Sequence, residues 1–179
     1  MATEILRRRF TIEEYHRMAE TGILGHDDRV ELIDGEIVEM SPIASRHSAC
    51  VARLTHVFFK VVGSRALVWS QAPCVLPPYS EPEPDIMLLR PRADFYEQAH
   101  PRPADILLVV EVSDSSLDYD RGVKLRLYAR AGIPEAWIVD VAGEVVEVHR
   151  EPAATGYRDV RRARRGAATS SRRARSLTS

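Results

Sequence analysis

The sequence contains few cysteines and no familiar arrangement of them. Its 179 residues include only Cys50 and Cys74, which form neither a Cys-x-x-Cys pair nor a zinc-ligand pattern with the six scattered histidines. This absence excludes a disulfide scaffold and a structural zinc site as organising features. We expect both cysteines to be buried thiols.

Three common catalytic signatures are absent as well, namely His-Glu-x-x-His, a Gly-rich phosphate loop and Gly-x-Ser-x-Gly. Zinc proteases, P-loop enzymes and serine hydrolases of the usual kind are thereby excluded. Long apolar runs are also missing, because Arg, Lys or His interrupts every such window, and the N-terminus lacks the apolar segment of a secretory signal. We expect a cytoplasmic protein with no membrane span, whose chemistry rests on carboxylates.

The net charge of −1 conceals an uneven distribution. Residues 1–160 hold 18 basic and 26 acidic side chains, a net charge of −8, whereas the last nineteen residues hold seven arginines and no acid. An acidic body does not hold nucleic acid by charge alone, although a basic tail can contact phosphates. From Arg161 onward the composition is rich in Arg, Ala and Ser, which predicts a disordered segment.

The length suits one domain of ordinary soluble composition, with 45% hydrophobic and 28% charged residues. We expect an N-terminal arm at 1–10, one folded domain at 11–160 and a basic tail at 161–179.

Helix and strand signals are mixed along the chain, without repeats. Capping, hairpin and periodicity signals predict, in the first half, a helix at 11–21, hairpin strands at 29–33 and 36–40 around Asp34-Gly35, a helix at 45–62 ended by Gly63, strands at 66–70 and 74–76, and a proline-rich loop at 77–84. The second half predicts paired strands at 85–89 and 106–113, a helix at 119–131 ended by Gly132, and a closing hairpin of strands at 136–141 and 145–149.

One carboxylate lies inside the most apolar strand, Ile106-Leu-Leu-Val-Val-Glu-Val-Ser113. Alternation along a strand places Glu111 on the same side as Leu107, Val109 and Ser113. Burying an unpaired polar group costs roughly 2–7 kcal/mol, so a cation, a metal or a hydrogen-bond donor must compensate Glu111.

Asp85, at the start of the preceding strand, is the natural neighbour of Glu111. Two acids on adjacent strands form a hard oxygen site that suits Mg²⁺, which can activate water and stabilise charge on phosphorus. The structural alternative is that Glu111 lies near an exposed strand end beside an arginine, while Asp85 only caps a loop.

An ordered series of motifs is recognisable at this point. It consists of Glu31-Leu-Ile-Asp-Gly-Glu36, Met40-Ser-Pro42, His47, Glu83-Pro-Asp85, Val110-Glu-Val-Ser113, Asp120, Lys124, Tyr128-Ala129, Gly132-Ile133 and Trp137-Ile-Val-Asp140. Over about residues 10–150 the chain resembles the Uma-two family of restriction endonucleases, in the PD-(D/E)xK nuclease superfamily. The resemblance implies an α/β (α+β) fold with a restriction-endonuclease-like mixed central sheet flanked by helices.

The resemblance also implies roles for individual residues. Asp85 and Glu111 would bind Mg²⁺, with Mn²⁺ as a substitute and the Val112 carbonyl as a third ligand. The superfamily lysine would follow two residues after Glu111, where this sequence has Ser113. The resemblance assigns that role instead to Lys124 on the next helix, which would position or deprotonate water. An ordinary ion pair between Asp120 and Lys124, four residues apart, is the alternative for that lysine.

Three further residues are candidates for supporting roles. Glu31 matches an additional acid near the metal, and a plain surface glutamate is an equally weighted alternative. His47 falls where the family often has histidine, although histidine at a helix start is more often a cap or a surface residue. Tyr128 continues the helical stripe of Asp120 and Lys124.

The C-terminus departs from the family pattern. Members usually continue after the strand at 145–149 with another strand and a short apolar segment, whereas Arg161 onward looks foreign, so a frameshifted or truncated end is a hypothesis. The resemblance as a whole implies a Mg²⁺-dependent endonuclease acting on DNA, and cleavage of both strands of a duplex suggests a homodimer. The alternatives are a non-catalytic nucleic-acid-binding or interaction module and a metal-dependent hydrolase of another phosphoester.

Overall fold

The computed structural model describes residues 7–25 and 27–164. The helices there are α1 (Ile12–Glu20), α2 (Ser45–Val62), α3 (Leu117–Tyr119) and α4 (Leu125–Arg130), with a π-helical turn at Asp120–Lys124 and 3₁₀ turns at Gly63–Arg65 and Pro103–Asp105. The strands are β1 (Val30–Ile33), β2 (Glu36–Glu39), β3 (Leu67–Ser70), β4 (Ile86–Leu89), β5 (Ile106–Ser113), β6 (Glu135–Asp140), β7 (Val145–Ala153) and β8 (Gly156–Arg164). No helix among these residues is both long enough and apolar enough to span a membrane.

Local signals account for the first elements. The Thr11 hydroxyl accepts from the Glu14 amide at 3.2 Å, and the Glu14 carboxylate accepts from the Thr11 amide at 3.0 Å, which is the predicted capping box. Asp34 and Gly35 both have positive φ, 50° and 84°, as a type I′ hairpin turn requires. A Cβ on Gly35 would lie 2.5 Å from the Arg9 Cβ, so only glycine fits there.

The main sheet has the order β3-β4-β5-β6-β7-β8. Strands β5 and β6 are parallel, and every other neighbouring pair is antiparallel. The helical segment from α3 through α4 connects the two parallel strands, as a parallel pair requires. This architecture confirms the predicted mixed central sheet flanked by helices.

Two apolar clusters occupy the two faces of this sheet. On one face, Met87 and Val109 pack with Leu125 and Leu127 of α4. On the other face, Ile86 and Val110 pack with Val51 and Phe58 of α2. The central strands are therefore covered on both sides, which makes them a rigid support for residues at their ends.

Several sequence predictions are wrong in detail. Cys74–Leu76 forms only an isolated bridge from Leu76 to Ser80, and Cys50 is half-buried rather than buried. Leu107 packs on the α2 face instead of sharing the side of Val109, because a bulge opposite Leu88 and Leu89 interrupts the alternation. The predicted helix at 119–131 forms, but with the π turn inside it.

The prediction that disorder begins at Arg161 is also wrong for four residues. Residues 161–164 are the second half of β8 and pair with Val145–Val148 of β7. The rest of the predicted tail, residues 165–179, lies outside the described residues.

Candidate active site

A cleft of about 370 Å³ opens where β4 begins and β5 ends. The β1–β2 hairpin, the start of α2 and the π turn form its other walls. Its charged lining is mostly acidic, with Glu31, Glu39, Glu83, Asp85, Glu111, Asp114 and Asp120 against Arg29, His47 and Lys124. The cleft therefore has an excess of negative charge.

Asp85 and Glu111 lie at matching positions on neighbouring strands. Ile86 of β4 pairs with Val110 of β5 in antiparallel register, so the next residues outward, Asp85 and Glu111, are opposite each other. Both line the cleft. The fold thus brings together the two acids that the sequence identified.

Lys124 lies between two buried carboxylates. Its Nζ is 3.1 Å from the Glu31 Oε2 and 3.4 Å from the Glu111 Oε1, and all three side chains are at most 7% exposed. A second donor reaches Glu111, because the Tyr128 hydroxyl donates to its Oε1. The cation and the donor that a buried Glu111 requires are both residues of this chain.

The environment shifts the pKa values of this cluster. Burial raises the pKa of the Glu111 carboxyl well above its usual value, in spite of the nearby Lys124. Burial alone would lower the pKa of Lys124, but the charges of Glu111 and Glu31 raise it above its usual value. Lys124 therefore keeps its proton at neutral pH, and Glu111 binds its own proton more tightly than an exposed glutamate does.

Asp85 has a different set of partners. The Val112 amide donates to its Oδ2 at 2.8 Å, and the His47 Nε2 lies 3.0 Å from its Oδ1. The hydrogen bond to Asp85 raises the pKa of His47. Within the described residues the His47 Nδ1 is buried and has no hydrogen-bond partner.

Asp120 lies in the same cleft but does not pair with Lys124 in the described part of the chain. Its Oδ2 accepts from the Ser113 hydroxyl at 2.7 Å and from the Ser116 hydroxyl at 2.5 Å. The alternative drawn from the sequence, that Lys124 forms an ordinary ion pair with Asp120, is therefore wrong. Ser113, in the position of the expected lysine, is buried and holds Asp120 in place.

Two cleft residues, Glu83 and Tyr119, were not among the candidate site residues that the sequence provided. Glu83 donates its amide to the Glu31 Oε2 at 3.2 Å, and burial raises the pKa of the Glu83 carboxyl. The Tyr119 hydroxyl is buried without a partner among the described residues, and burial raises its pKa. Only tertiary contacts identify these two residues, although Glu83 precedes the Pro-Asp pair.

The donor set fits a hard divalent cation of the Mg²⁺ type. In residues 7–25 and 27–164, no three or more His, Cys, Asp or Glu side chains are grouped so that they could hold a metal ion by themselves. Mg²⁺ commonly takes only one or two carboxylates and fills its shell with water and substrate phosphate. Asp85 and Glu111 supply two carboxyl groups, and the excess of acidic side chains lining the cleft favours a cation.

Comparisons with known proteins bear on this site. The model of the Uma2 family, described as "Putative restriction endonuclease", matches residues 12–176, a range that includes most of the arginine-rich end. No protein with a curated description matches the chain. The fold is similar to a crystal structure from Anabaena variabilis ATCC 29413, titled a "putative nuclease belonging to DUF820". That match has a TM-score of 0.63 at 18% identity, and it covers 86% of this chain and 83% of the other.

Proposed function

This chain belongs to the Uma2 family, and on that premise we propose that it is a Mg²⁺-dependent endonuclease that hydrolyses phosphodiester bonds of DNA. The observation that carries the proposal is the placement of Asp85 and Glu111 at matching strand positions in one cleft, with the Lys124 ammonium beside Glu111. Mn²⁺ would serve as a substitute because it also prefers carboxylate and water ligands.

Each residue has a role in this proposal. Asp85 and Glu111 would hold the metal, with the Val112 carbonyl as a further ligand. When bound, Mg²⁺ would supply Lewis-acid stabilisation of the phosphoryl charge and make water more acidic. Lys124 keeps its proton, so we assign it to orienting water or the scissile phosphate rather than to deprotonating water. Glu31 holds Lys124, and Tyr128 holds Glu111.

His47 and the Ser113–Asp120 pair position parts of the cleft. His47 contacts Asp85 and orients its carboxylate. Ser113 and Ser116 fix Asp120 on the π turn that also carries Lys124. These residues act through their neighbours, so their substitution should reduce the rate less than loss of Asp85 or Glu111.

The test is cleavage of supercoiled plasmid DNA with Mg²⁺ or Mn²⁺. Asp85→Asn and Glu111→Gln should each lower the rate by about 10²–10³, the usual effect of removing one electrostatic contact to the transition state. Glu39→Gln is the matched control, because Glu39 is an exposed acid of the same cleft with no assigned role. Metal-dependent cleavage that survives both substitutions would refute the site assignment.

A homodimer is part of the proposal, because cutting both strands of a duplex at one place calls for two sites. Linear plasmid appearing without a nicked intermediate, together with a dimeric mass in solution, would support it. A monomer that only nicks DNA would contradict it.

A non-catalytic nucleic-acid-binding module is the second candidate. The observation that favours it is Ser113, a buried residue bonded to Asp120 in the position where the superfamily has its lysine. A wild-type protein that binds DNA but does not cleave it with any divalent metal would select this candidate.

A further inference from the structure

Helix α2 is basic throughout, in a chain whose first 160 residues are acidic. Its 18 residues contain Arg46, His47, Arg53, His56 and Lys60 and no acidic residue. Arg46, Arg53 and Lys60 recur at seven-residue intervals, and His56 follows Arg53 by three. Such spacing places all four on one side of a helix.

This side faces away from the sheet. On the opposite side of α2, Val51 and Phe58 are buried against Ile86 and Val110 of the sheet. On the side that faces away, the side chains of Arg46, Arg53, His56 and Lys60 are exposed. We call these four residues the basic ridge.

Three of the four residues of the basic ridge have no carboxylate partner among the described residues. Arg53, His56 and Lys60 form no ion pair with any carboxylate of the described residues. Arg46 has only a long contact of 3.8 Å with Asp114, and it donates to the Val141 carbonyl at 2.7 Å. A solvated helix face commonly mixes charges of both signs, so a largely unpaired basic ridge on an acidic protein points to an anionic partner.

The basic ridge begins beside the cleft. Ala44, just before α2, lines the cleft, and His47 in the first turn contacts Asp85. At 1.5 Å per residue, the ridge extends about 21 Å from Arg46 to Lys60. The cleft itself is acidic and repels phosphate, so a nucleic-acid substrate needs attraction from a neighbouring surface.

We propose that the basic ridge of α2 binds the phosphate backbone of double-stranded DNA and holds the duplex across the cleft. This inference rests on the proposed nuclease function and names the surface that recognises its substrate. A duplex is the expected form because a rigid rod suits a straight row of charges about 21 Å long on one helix. Phe59 of the same helix is 74% exposed and offers a stacking surface to a single strand, so the test compares the two forms. Backbone contacts of this kind give affinity without reading sequence.

The test measures DNA binding separately from cleavage. Binding of a short labelled duplex is followed by fluorescence anisotropy in EDTA, across about 50–200 mM salt. Arg53→Ala and Lys60→Ala should each weaken binding several-fold for every duplex sequence and reduce the salt slope by about one. The double variant should combine the two effects.

Arg126→Ala is the matched control. Arg126 is an exposed arginine on α4, which packs on the opposite face of the sheet, and it has no ion pair within the described residues. It should leave both affinity and salt slope unchanged. Equal losses in Arg53→Ala, Lys60→Ala and Arg126→Ala, or no loss in any of them, would overturn the proposal.

Further experiments distinguish duplex DNA from other anionic partners, and separate failure of this proposal from failure of the proposed nuclease function. In Mg²⁺, loss of the ridge charges should raise KM for plasmid and leave kcat unchanged. If the protein binds poly-glutamate, loses that binding in the ridge variants and does not bind duplex DNA, the proposal is overturned in favour of an acidic protein partner. Tighter ridge-dependent binding of single-stranded DNA would also overturn it. Ridge-dependent duplex binding without any cleavage would support the ridge and refute the nuclease function.

Discussion

The ammonium of Lys124 lies 3.1 Å from the carboxylate of Glu31, and both side chains are at least nine-tenths buried. Glu31 is on the first hairpin and Lys124 is in the π turn between β5 and β6, so this ion pair joins two distant parts of the chain. The same ammonium is 3.4 Å from Glu111 on the central strand. Lys124 therefore links three elements at the wall of the cleft.

Replacing Lys124 with Met should destabilise the protein strongly. Removing one partner of a buried ion pair leaves charge without compensation and costs about 3–5 kcal/mol. The loss would be measured as a lower midpoint of urea unfolding. Lys60→Met, at an exposed position of α2, is the control, and its free energy of unfolding should stay within about 0.5 kcal/mol of the wild-type value. Equal midpoints for the two variants would contradict a structural role for Lys124.

Replacing Tyr128 with Phe should remove the hydroxyl that donates to Glu111 without leaving a large cavity. A hydrogen bond to a charged group contributes about 1.5–3 kcal/mol, whereas one between neutral groups contributes about 0.5–1.5 kcal/mol. Tyr157→Phe is the matched control, because the Tyr157 hydroxyl donates to the neutral Ile133 carbonyl. At a pH above the folded pKa of Glu111, where its carboxyl is ionised, the free energy of unfolding should fall more for Tyr128→Phe than for Tyr157→Phe. Equal or reversed losses at that pH would contradict a hydrogen bond from Tyr128 to an ionised Glu111.

Glu111 should make metal-free protein less stable as pH rises. Its pKa is raised in the folded state, so between the unfolded value, about 4.3, and the folded value the native protein binds more protons than the unfolded chain. The free energy of unfolding must then fall across that interval. Glu111→Gln should flatten this part of the pH profile, and an unchanged slope in the variant would assign it to another group.

Glu147 should have the opposite effect at acid pH. Burial opposes ionisation of Glu147, but the hydrogen bond and charge of Arg121, together with His149 and Arg162, outweigh it, so the pKa of the carboxyl is lowered. Its contribution to stability is therefore complete above the unfolded pKa of about 4.3 and is lost as pH falls through the folded value. Thermal unfolding of Glu147→Gln should show a smaller acid-induced decrease in Tm than wild type; an equal decrease would contradict the prediction.

Glu147 also explains why the end of β8 is ordered. The Arg162 Nε lies 2.8 Å from the Glu147 Oε1, so an arginine of the supposed tail compensates a buried acid of β7. Composition predicted disorder because β8 has few large apolar residues after Val160. Pairing with β7 and this ion pair replace the apolar burial that the sequence lacks, and neither is visible in local composition.

Local sequence signals predicted most of the elements well. The capping box of Thr11, the Asp34-Gly35 turn and the helix over 45–62 are all present, because each depends on residues close together in the chain. The predictions of a strand at 74–76 and of the side of β5 on which Leu107 lies were wrong. Bridge partners and bulges are determined by contacts with other segments of the chain, which local sequence does not show.

The sequence by itself determined most of the helices and strands and the two central acids, since apolar periodicity, turn residues and the place of Glu111 in an apolar strand are local patterns. The arrangement of those elements around one mixed sheet was implied by the family resemblance. Only the tertiary structure decided what surrounds those acids. Lys124 forms ion pairs with Glu31 and Glu111 and not with Asp120. The Tyr128 hydroxyl donates a hydrogen bond to Glu111, and the Ser113 hydroxyl donates one to Asp120. The physical reason is that a buried charge is stabilised by whichever groups the folded chain brings within a few ångströms, and sequence spacing does not specify that set.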